Sequence, residues 1–316
     1  MTDIRRSSHA GYSAPQYAGQ NNNKRYKWYY LNRWEGLLLF LPAIILVLVF
    51  KGWPLIQGFY LSLTTQEVVG QNIFVGIENY RDIFKDKIFL NSLINILKSL
   101  MVLPIFIISP LILAFFIHQH IPGWKFFRAT FLFSYLMAPV MVGYMFSFLL
   151  GSYGPLNTLL KNIGLESIAI NWFGNPKISI FVVFGVILWC WFGLGVLIYL
   201  ASMATIEEDL YECAKLDGAK NWQILRHITI PHIMPTIGYW TILIMTSFFI
   251  GLFPFIYALT GGGPGYATMM PEYYIYVVAT QFLNAGYASA LGVVLFFVIL
   301  VLSLIQIKLM YTNETS

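Results

Sequence analysis

The glycine run Gly261–Gly263 has the residue type that phosphate-binding loops use. A loop of that kind also needs a lysine directly after a glycine, because the ammonium group binds the outer phosphates of the nucleotide. No Gly-Lys dipeptide occurs in the 316 residues. The sequence therefore predicts no ATP site of this kind and no cofactor, and any energy from ATP must come from a partner protein.

Two histidines and two cysteines have side chains that can bind a metal ion. His118 and His120 are spaced so that both side chains approach one metal ion in an extended segment, but no third ligand is close in the sequence, and catalytic zinc sites normally have three. Cys190 lies in an apolar run and Cys213 in a polar segment, which gives neither a disulfide nor a metal pattern. No metal site is predicted.

Four residues are candidates for a substrate pathway through the membrane. Lys98 is the one basic residue predicted to lie within the bilayer, where a charge often marks a pathway, although a lysine near a helix end also extends to the interface. Aromatic side chains suit sugar faces, but in membrane helices they also serve packing and interface anchoring. Both interpretations stay open for the aromatic candidates Tyr239, Trp240 and Phe249.

The composition defines the elements that must position these residues. The chain is 58% apolar, 17% aromatic and only 10% charged, whereas soluble proteins are about 25% charged. Apolar runs of about 20 residues cross a bilayer as helices. We therefore predict an all-α, polytopic membrane protein.

Six apolar segments are long enough to cross the membrane. The second contains Pro104 and Pro110, which membrane helices tolerate where neighbouring groups satisfy the freed carbonyls. The first predicted span begins near Trp34 or Gly36 and runs past Val49. The other five cover about 89–117, 127–150, 178–203, 235–259 and 288–310. The predicted domain organisation is a six-span domain over residues 34–316.

Residues 1–33 form a polar tail that carries six basic residues. No apolar core with a small-residue cleavage site precedes the first span, so we interpret residues 1–33 as a tail and not as a signal peptide. Its low apolar content predicts disorder up to about Lys24. Positive charge beside a membrane span explains the basic residues better than binding to nucleic acid does.

Residues 205–231 form a polar elbow between the fourth and fifth apolar segments. Thr205 and Glu208 have the spacing of a capping box, which predicts a helix start at Thr205 or Ile206. Gly218 follows the last good helix former, where a left-handed residue ends a helix at low cost. A second short helix is expected from Ala219 until Pro231, which lacks a backbone donor. The sequence predicts two short helices about a glycine turn, which from local signals alone is also compatible with an ordinary capped loop.

The elbow resembles the EAA loop of the permease subunits of ATP-binding-cassette (ABC) importers. Cys213 replaces one alanine of that pattern and Ile230 replaces a leucine. The resemblance implies a type I ABC importer permease fold in which this loop docks on a cytoplasmic ATPase, mainly through Glu212 and Gly218. The matching residues are Glu212, Ala214, Asp217, Gly218, Ala219, Trp222, Ile228 and Pro231.

Two further segments resemble the carbohydrate-uptake branch of these permeases, the MalF/UgpA-like family. Residues Val75–Tyr80 are similar to a Gly-Leu-Glu-Asn-Tyr signature outside the membrane, and also predict a capped surface helix from Glu78. The run Thr260–Thr268, with Tyr276 and the tripeptide 286–288, is similar to an outer loop of the same branch. The resemblance thus implies a sugar or oligosaccharide as the substrate.

The distribution of lysine and arginine predicts the orientation. With the amino terminus inside, twelve of these residues lie in the inner segments and six in the outer segments. Positive charge favours the cytoplasmic side, which places both termini and the elbow in the cytoplasm. The outer six are Lys51, Arg81, Lys85, Lys87, Lys161 and Lys177.

The resemblance also implies the partners and the location. It implies a bacterial or archaeal plasma (inner) membrane protein that pairs with a second homologous six-span permease, two ATPase subunits and an extracytoplasmic sugar-binding protein. The permease itself would not be an enzyme, and it would work by alternating access. Neither the sugar and its length nor the subunit that holds the sugar follows from the sequence.

Three alternatives to a sugar importer differ in the residues that they require. A membrane enzyme needs an intramembrane nucleophile and base, but the predicted spans contain no Asp or Glu, and the chain has no Gly-x-Ser-x-Gly motif. An ion-coupled secondary transporter usually has intramembrane carboxylates and an inverted repeat. Within the importer class, a polyol or a glycerol phosphate ester is the alternative substrate, and a phosphate ester needs basic residues along the path, for which Lys98 is the candidate.

Overall fold

The computed structural model describes residues 33–68, 71–119 and 124–314. Almost all of the tail predicted for residues 1–33, together with His120, lies outside these residues. The described chain divides into two units, one ending at Pro54 and the other starting at Leu55.

Helices form most of the described chain. Helix α1 spans Arg33–Val47, a π-helical turn spans Leu48–Gly52, and α2 spans Trp53–Leu61. The later helices are α3 Glu78–Ile83, α4 Lys87–His118, α5 Trp124–Leu136, α6 Pro139–Leu149, α7 Pro155–Asn162, α8 Ser179–Met203, α9 Glu208–Leu216, α10 Asn221–Ile224, α11 Ile230–Ile250, α12 Phe253–Leu259, α13 Pro271–Thr280 and α14 Ala285–Glu314.

A β-hairpin interrupts the helical order between α2 and α3. Strand β1, Thr64–Val68, pairs antiparallel with β2, Gln71–Phe74, with Thr64 opposite Phe74. Helix α14 packs against β1, and Gly286 lies so close to the carbonyl of Thr64 that no side chain fits there. The sequence analysis did not predict this hairpin.

Five helical segments of the described residues are long and apolar enough to cross a membrane. They correspond to the predicted first, second, fourth, fifth and sixth spans, but the fifth, expected over 235–259, ends at Ile250, and Phe253–Leu259 is a separate helix. The third, expected as one span over 127–150, is instead divided into α5 and α6. Ala138 is extended, with φ −60° and ψ 130°, because the residue before a proline, here Pro139, is disfavoured in helical conformation. The five segments are Phe40–Leu61, Lys87–His118, Ser179–Met203, Asn221–Ile250 and Ala285–Gln306.

Helix α8 occupies the centre of the second unit, packed against α4, α5 and α11. An aromatic cluster holds this centre together: Phe106 and Phe248 meet edge to face with ring centroids 5.1 Å apart, and Trp191 lies 6.3 Å from Phe248 and 6.0 Å from Phe255. Such edge-to-face contacts add about 1 kcal/mol each beyond the burial of apolar area.

Helix α4 continues through both of its prolines for 32 residues. Pro110 has no N–H for the carbonyl of Phe106, one helical turn earlier. The indole Nε1 of Trp240, on α11, donates to this carbonyl over 3.0 Å. A donor on a neighbouring helix therefore satisfies a freed carbonyl, as expected for prolines in membrane helices.

Candidate functional site

In the polar elbow, residues 205–231, the first helix begins two or three residues later than predicted. Helix α9 starts at Glu208, its N-cap is Glu207, and no side chain caps it. The predicted capping box is wrong: the hydroxyl of Thr205 donates back to the carbonyl of Ser202 over 2.8 Å. A hydroxyl that bonds its own preceding turn competes with capping of the next helix.

The glycine turn after α9 is confirmed. Gly218 has φ +78°, a left-handed conformation that glycine adopts without steric cost. Two main-chain hydrogen bonds close the helix in the Schellman arrangement, from Ala219 N–H to the Ala214 carbonyl over 2.9 Å and from Gly218 N–H to the Lys215 carbonyl over 3.0 Å. The turn is therefore a defined structure and not a loose loop.

The second arm of the elbow differs from the prediction. It starts at Asn221, where Lys220 N–H donates to the side chain of Gln223 over 2.8 Å. Pro231 does not end this arm, because a π-helical stretch, Leu225–Thr229, joins α10 directly to α11. Pro231 then lies in the first turn of α11, where a missing N–H is tolerated. The arm and the membrane helix are one continuous segment.

Buried side chains fix the base of the elbow. Tyr211 is 5% exposed, its hydroxyl lies 3.2 Å from the hydroxyl of Thr229, and its ring lies 5.4 Å from that of His118. Ile224 and Leu225 are also buried. The first arm is thereby attached both to the second arm and to the end of α4.

The tip of the elbow exposes apolar side chains on both sides of the turn. Leu216 is 87% exposed and Trp222 is 62% exposed, although water disfavours both. Space around Gly218 is open, since a Cβ there meets no atom within 4 Å. Exposed apolar groups flanked by charges are typical of protein–protein contacts, in which tryptophan is often a dominant residue.

The predicted elbow residues divide by exposure. Leu216 was not singled out from the sequence, although an apolar residue directly before a helix-ending Asp-Gly pair was a usable signal. Ala214 and Ala219 are half-buried. The exposed members are Glu212, Asp217, Gly218, Trp222 and Pro231.

A small groove runs beside the elbow, with a volume of about 190 Å³. Glu208 and Glu212, one helical turn apart, line it from α9, and His118 and Gln119 line it from the end of α4. Lys215 completes the lining. Glu212 is therefore presented at a groove edge, where it can accept hydrogen bonds from a basic partner residue.

The four predicted pathway residues are not brought together. Trp240 and Phe249 are buried, at 1% and 4% exposure, and pack within the helix bundle, whereas Tyr239 is 55% exposed. Lys98 is half-buried, and its ammonium group donates to the side-chain oxygen of Asn95 over 2.9 Å. In this chain Trp240 has the packing role that the sequence analysis left open for it.

The segment 75–80 contains a buried anchor. Asn79 is 7% exposed, and its amide donates to the carbonyls of Ser62 and Thr64 over 2.8 and 2.9 Å. Tyr80 lies 2.6 Å from the Ser62 hydroxyl. These bonds fasten α3 to the end of α2 and to the hairpin. The predicted helix from Glu78 is confirmed.

The glycine-rich loop 260–268 is held internally and against α4. The hydroxyl of Thr268, fully buried, donates to the carbonyl of Gly263 over 2.6 Å and lies 2.6 Å from that of Thr260. From α4, Asn91 donates to the carbonyl of Tyr266 and Asn95 to that of Met269. The loop is thus a fixed wall beside the first turns of α4.

Glu272 is a buried acid that the sequence analysis did not single out. Burial raises its pKa to about 7, while hydrogen bonds from the backbone N–H groups of Phe253 and Leu252 act in the opposite direction. Its Oε1 atom is buried and has no hydrogen-bond partner among the described residues. Removal of a carboxylate from water disfavours its charged form, which is the physical cause of the shift.

Together the apolar helices define a multi-pass membrane protein, with the polar elbow between two of its spans. The chain matches the family described as "Binding-protein-dependent transport system inner membrane component" over residues 73–310, and it belongs to that family.

Three relatives illustrate the match. "Probable ABC transporter permease protein YurN" of Bacillus subtilis is 31% identical, over 87% of this chain and 96% of that protein. "Multiple sugar-binding transport system permease protein MsmF" of Streptococcus mutans is 29% identical, over 88% and 96%. A crystal structure of a bacterial ABC transporter for the import of the acidic polysaccharide alginate contains a chain with TM-score 0.75 and 25% identity, over 90% of this chain and 98% of that one.

Proposed function

We propose that this chain is the permease subunit of an ATP-driven importer of a sugar or oligosaccharide. The observation that supports this function is the elbow, a rigid turn that exposes Leu216 and Trp222 and is attached to the ends of two membrane helices. The names of the sugar transport permease and the alginate importer among its relatives support a carbohydrate substrate.

The proposed assembly contains a second six-span permease, two cytoplasmic ATPase subunits and an extracytoplasmic sugar-binding protein. The ATPases would hydrolyse ATP, and the permease would be no enzyme. Helices α5 and α6, with 13 and 11 residues, together are about 35 Å long at 1.5 Å per residue, which suffices for the sixth crossing. An even number of crossings would place both termini on the same side of the membrane, and the distribution of positive charge favours the cytoplasm as that side.

Coupling would follow from the rigidity of the elbow. When ATP draws the two ATPases together, each elbow would move with the ATPase surface on which it docks. Because the second arm is continuous with α11, this membrane helix would move as well. Packed elements move as units. The sugar-loaded binding protein and ATP must stabilise the same outward-open state, since ligands shift only those states that they distinguish.

Affinity purification from native membranes tests this function. We expect a soluble ATPase and a second six-span permease to co-elute with the wild-type chain. The variants Leu216→Ser and Trp222→Ala should lose the ATPase but retain the second permease, because they change only the tip. Tyr153→Ala is the matched control, since Tyr153 is 96% exposed in a different part of the chain.

Two results contradict the proposal. The wild-type chain alone, active in transport and without any ATPase, rejects the importer function and favours an ion-coupled transporter. Retention of the ATPase by both tip variants rejects the elbow as the docking surface. Growth of a deletion strain on single carbon sources then separates a sugar from a polyol or a glycerol phosphate ester as the substrate.

A further inference from the structure

A cleft of about 410 Å³ lies between the first three turns of α4 and the glycine-rich loop. Its volume is in the range of small-ligand pockets, about 300–1,000 Å³. The polar part of its lining consists of Lys87, Asn91, Lys98 and Tyr266. Among the described residues that line it, two are lysines and none is acidic.

The polar residues on α4 share one helix face. Lys87, Asn91 and Lys98 are separated by four and seven positions, which is the spacing of one face of an α-helix. Eleven residues at 1.5 Å each place the α-carbons of the two lysines about 16 Å apart along the axis. The two positive charges are thus at separate places along an elongated cleft.

The inner lysine is held in place. Asn95 is fully buried, and its amide donates to the Met269 carbonyl over 2.9 Å, which leaves its oxygen to accept from Lys98 over 2.9 Å. An ammonium group has three donors, so this bond orients Lys98 and leaves further donors. A half-buried positive charge whose described partner is a neutral amide favours an incoming anion.

The nearest acid in the sequence, Asp86, is held by hydrogen bonds outside the cleft lining. One oxygen of Asp86 accepts from the backbone N–H groups of Ile88 and Phe89, and the other accepts from the hydroxyls of Tyr274 and Tyr287 over 2.7 and 2.9 Å. Both oxygens of this carboxylate are therefore engaged by neutral donors, while Lys87 is an exposed side chain that lines the cleft.

The opposite wall offers an aromatic surface. Tyr266 is 47% exposed, its backbone has φ +64°, and Asn91 holds its carbonyl over 2.8 Å. Positive φ is uncommon for residues other than glycine, so this loop conformation depends on such contacts. An exposed aromatic ring on a loop whose backbone is held, beside hydrogen-bonding groups, suits the apolar face of a sugar ring.

We propose that this cleft binds an oligouronide, a short oligosaccharide with carboxylates on separate sugar rings. This inference rests on the proposed import function and names the class of its substrate. Two ammonium groups at separate positions match a chain with repeated charges better than a sugar with one phosphate. Tyr266 contacts a ring between the two charged positions.

Binding to the purified complex tests the cleft. The full chain, isolated with its partners and placed in nanodiscs, is titrated with trigalacturonate and with the neutral maltotriose. We expect the wild type to prefer trigalacturonate, with affinity that falls as salt is added. Lys87→Gln and Lys98→Met should each weaken this binding about tenfold, the effect of one charged hydrogen bond.

Two further variants serve as controls. Lys98→Arg keeps the charge and should retain most of the binding, whereas a purely structural role of Lys98 would make arginine as harmful as methionine. Lys85→Gln removes a lysine close in sequence that does not line the cleft, and should change binding less than twofold.

Each remaining outcome contradicts the assignment of the cleft as a binding site for an oligouronide. Equal binding of both sugars, preference for maltotriose, binding of neither, or losses in the cleft variants no larger than in Lys85→Gln all overturn the assignment. Co-elution of the ATPase in the same preparation reports independently on the proposed function, which stands or fails by that measurement whichever sugar binds.

Discussion

The indole nitrogen of Trp240 donates to the main-chain carbonyl of Phe106 over 3.0 Å, across two membrane helices. This carbonyl lost its own helical donor because Pro110 follows one turn later. Gly195 on α8 makes room for the indole, since a Cβ there would lie 2.8 Å from the ring. One aromatic residue thus joins three helices at the centre of the bundle.

Trp240→Phe should lower the free energy of unfolding by about 1–3 kcal/mol, because it leaves a buried carbonyl without a donor. Thermal unfolding in detergent measures the change. In a Pro110→Ala background the helix regains its own N–H, so the same substitution should cost less. Equal costs in both backgrounds would show that the hydrogen bond contributes nothing.

Asn79→Asp should destabilise the outer segment by at least about 2 kcal/mol, since a carboxylate replaces the amide that donates to two carbonyls. Limited proteolysis near the hairpin and the melting temperature measure the effect. Asn162→Asp, at an exposed position, is the control. Similar behaviour of the two variants would contradict an anchoring role for Asn79.

Gly218→Val should weaken docking of the ATPase and cost about 1–2 kcal/mol locally, because a β-branched residue is strained at φ +78°. Gly218→Asn should be tolerated, since asparagine enters this conformation more easily. Co-purification of the ATPase compares the two variants. Space around the position is open, so equal loss in both would point to close approach of the partner and not to backbone strain.

The raised pKa of Glu272 predicts that the stability of the protein depends on pH. Its folded pKa is raised to about 7, so the folded state binds the proton more tightly than the unfolded chain does. The stabilisation is complete below the unfolded pKa of about 4.3 and is lost as pH rises through about 7.

Melting temperatures of the wild type should therefore fall between pH 5 and pH 8, with a loss on the order of 2 kcal/mol. Glu272→Gln, which stays neutral, should remove most of this slope. The same slope in wild type and variant would assign the pH dependence to another group.

Local signals in the sequence predicted the helical membrane fold and the glycine turn. Apolar runs of sufficient length are enough for most of the spans, because a backbone in lipid must satisfy its hydrogen bonds internally. Gly218 was predictable because its conformation depends on the absence of its own side chain. The helix at Glu78 follows for a similar local reason.

Several local predictions failed where a neighbouring group decided the outcome. Thr205 bonds back to the preceding helix and does not cap the next one. Pro231 does not end the second arm, because the π-helical stretch before it shifts the hydrogen bonds by one residue. Pro139 divides the third apolar segment, whereas Pro104 and Pro110 leave α4 continuous.

The sequence by itself determined that the chain is a helical membrane protein with a polar elbow, because hydrophobic length and glycine conformation are properties of short segments. Only the tertiary structure decided which polar groups meet. Trp240 pairs with Phe106 across 134 positions, and Asn95 with Met269 across 174. The cleft between Lys87, Lys98 and Tyr266 arises in the same way, since it exists only when the glycine-rich loop packs against α4.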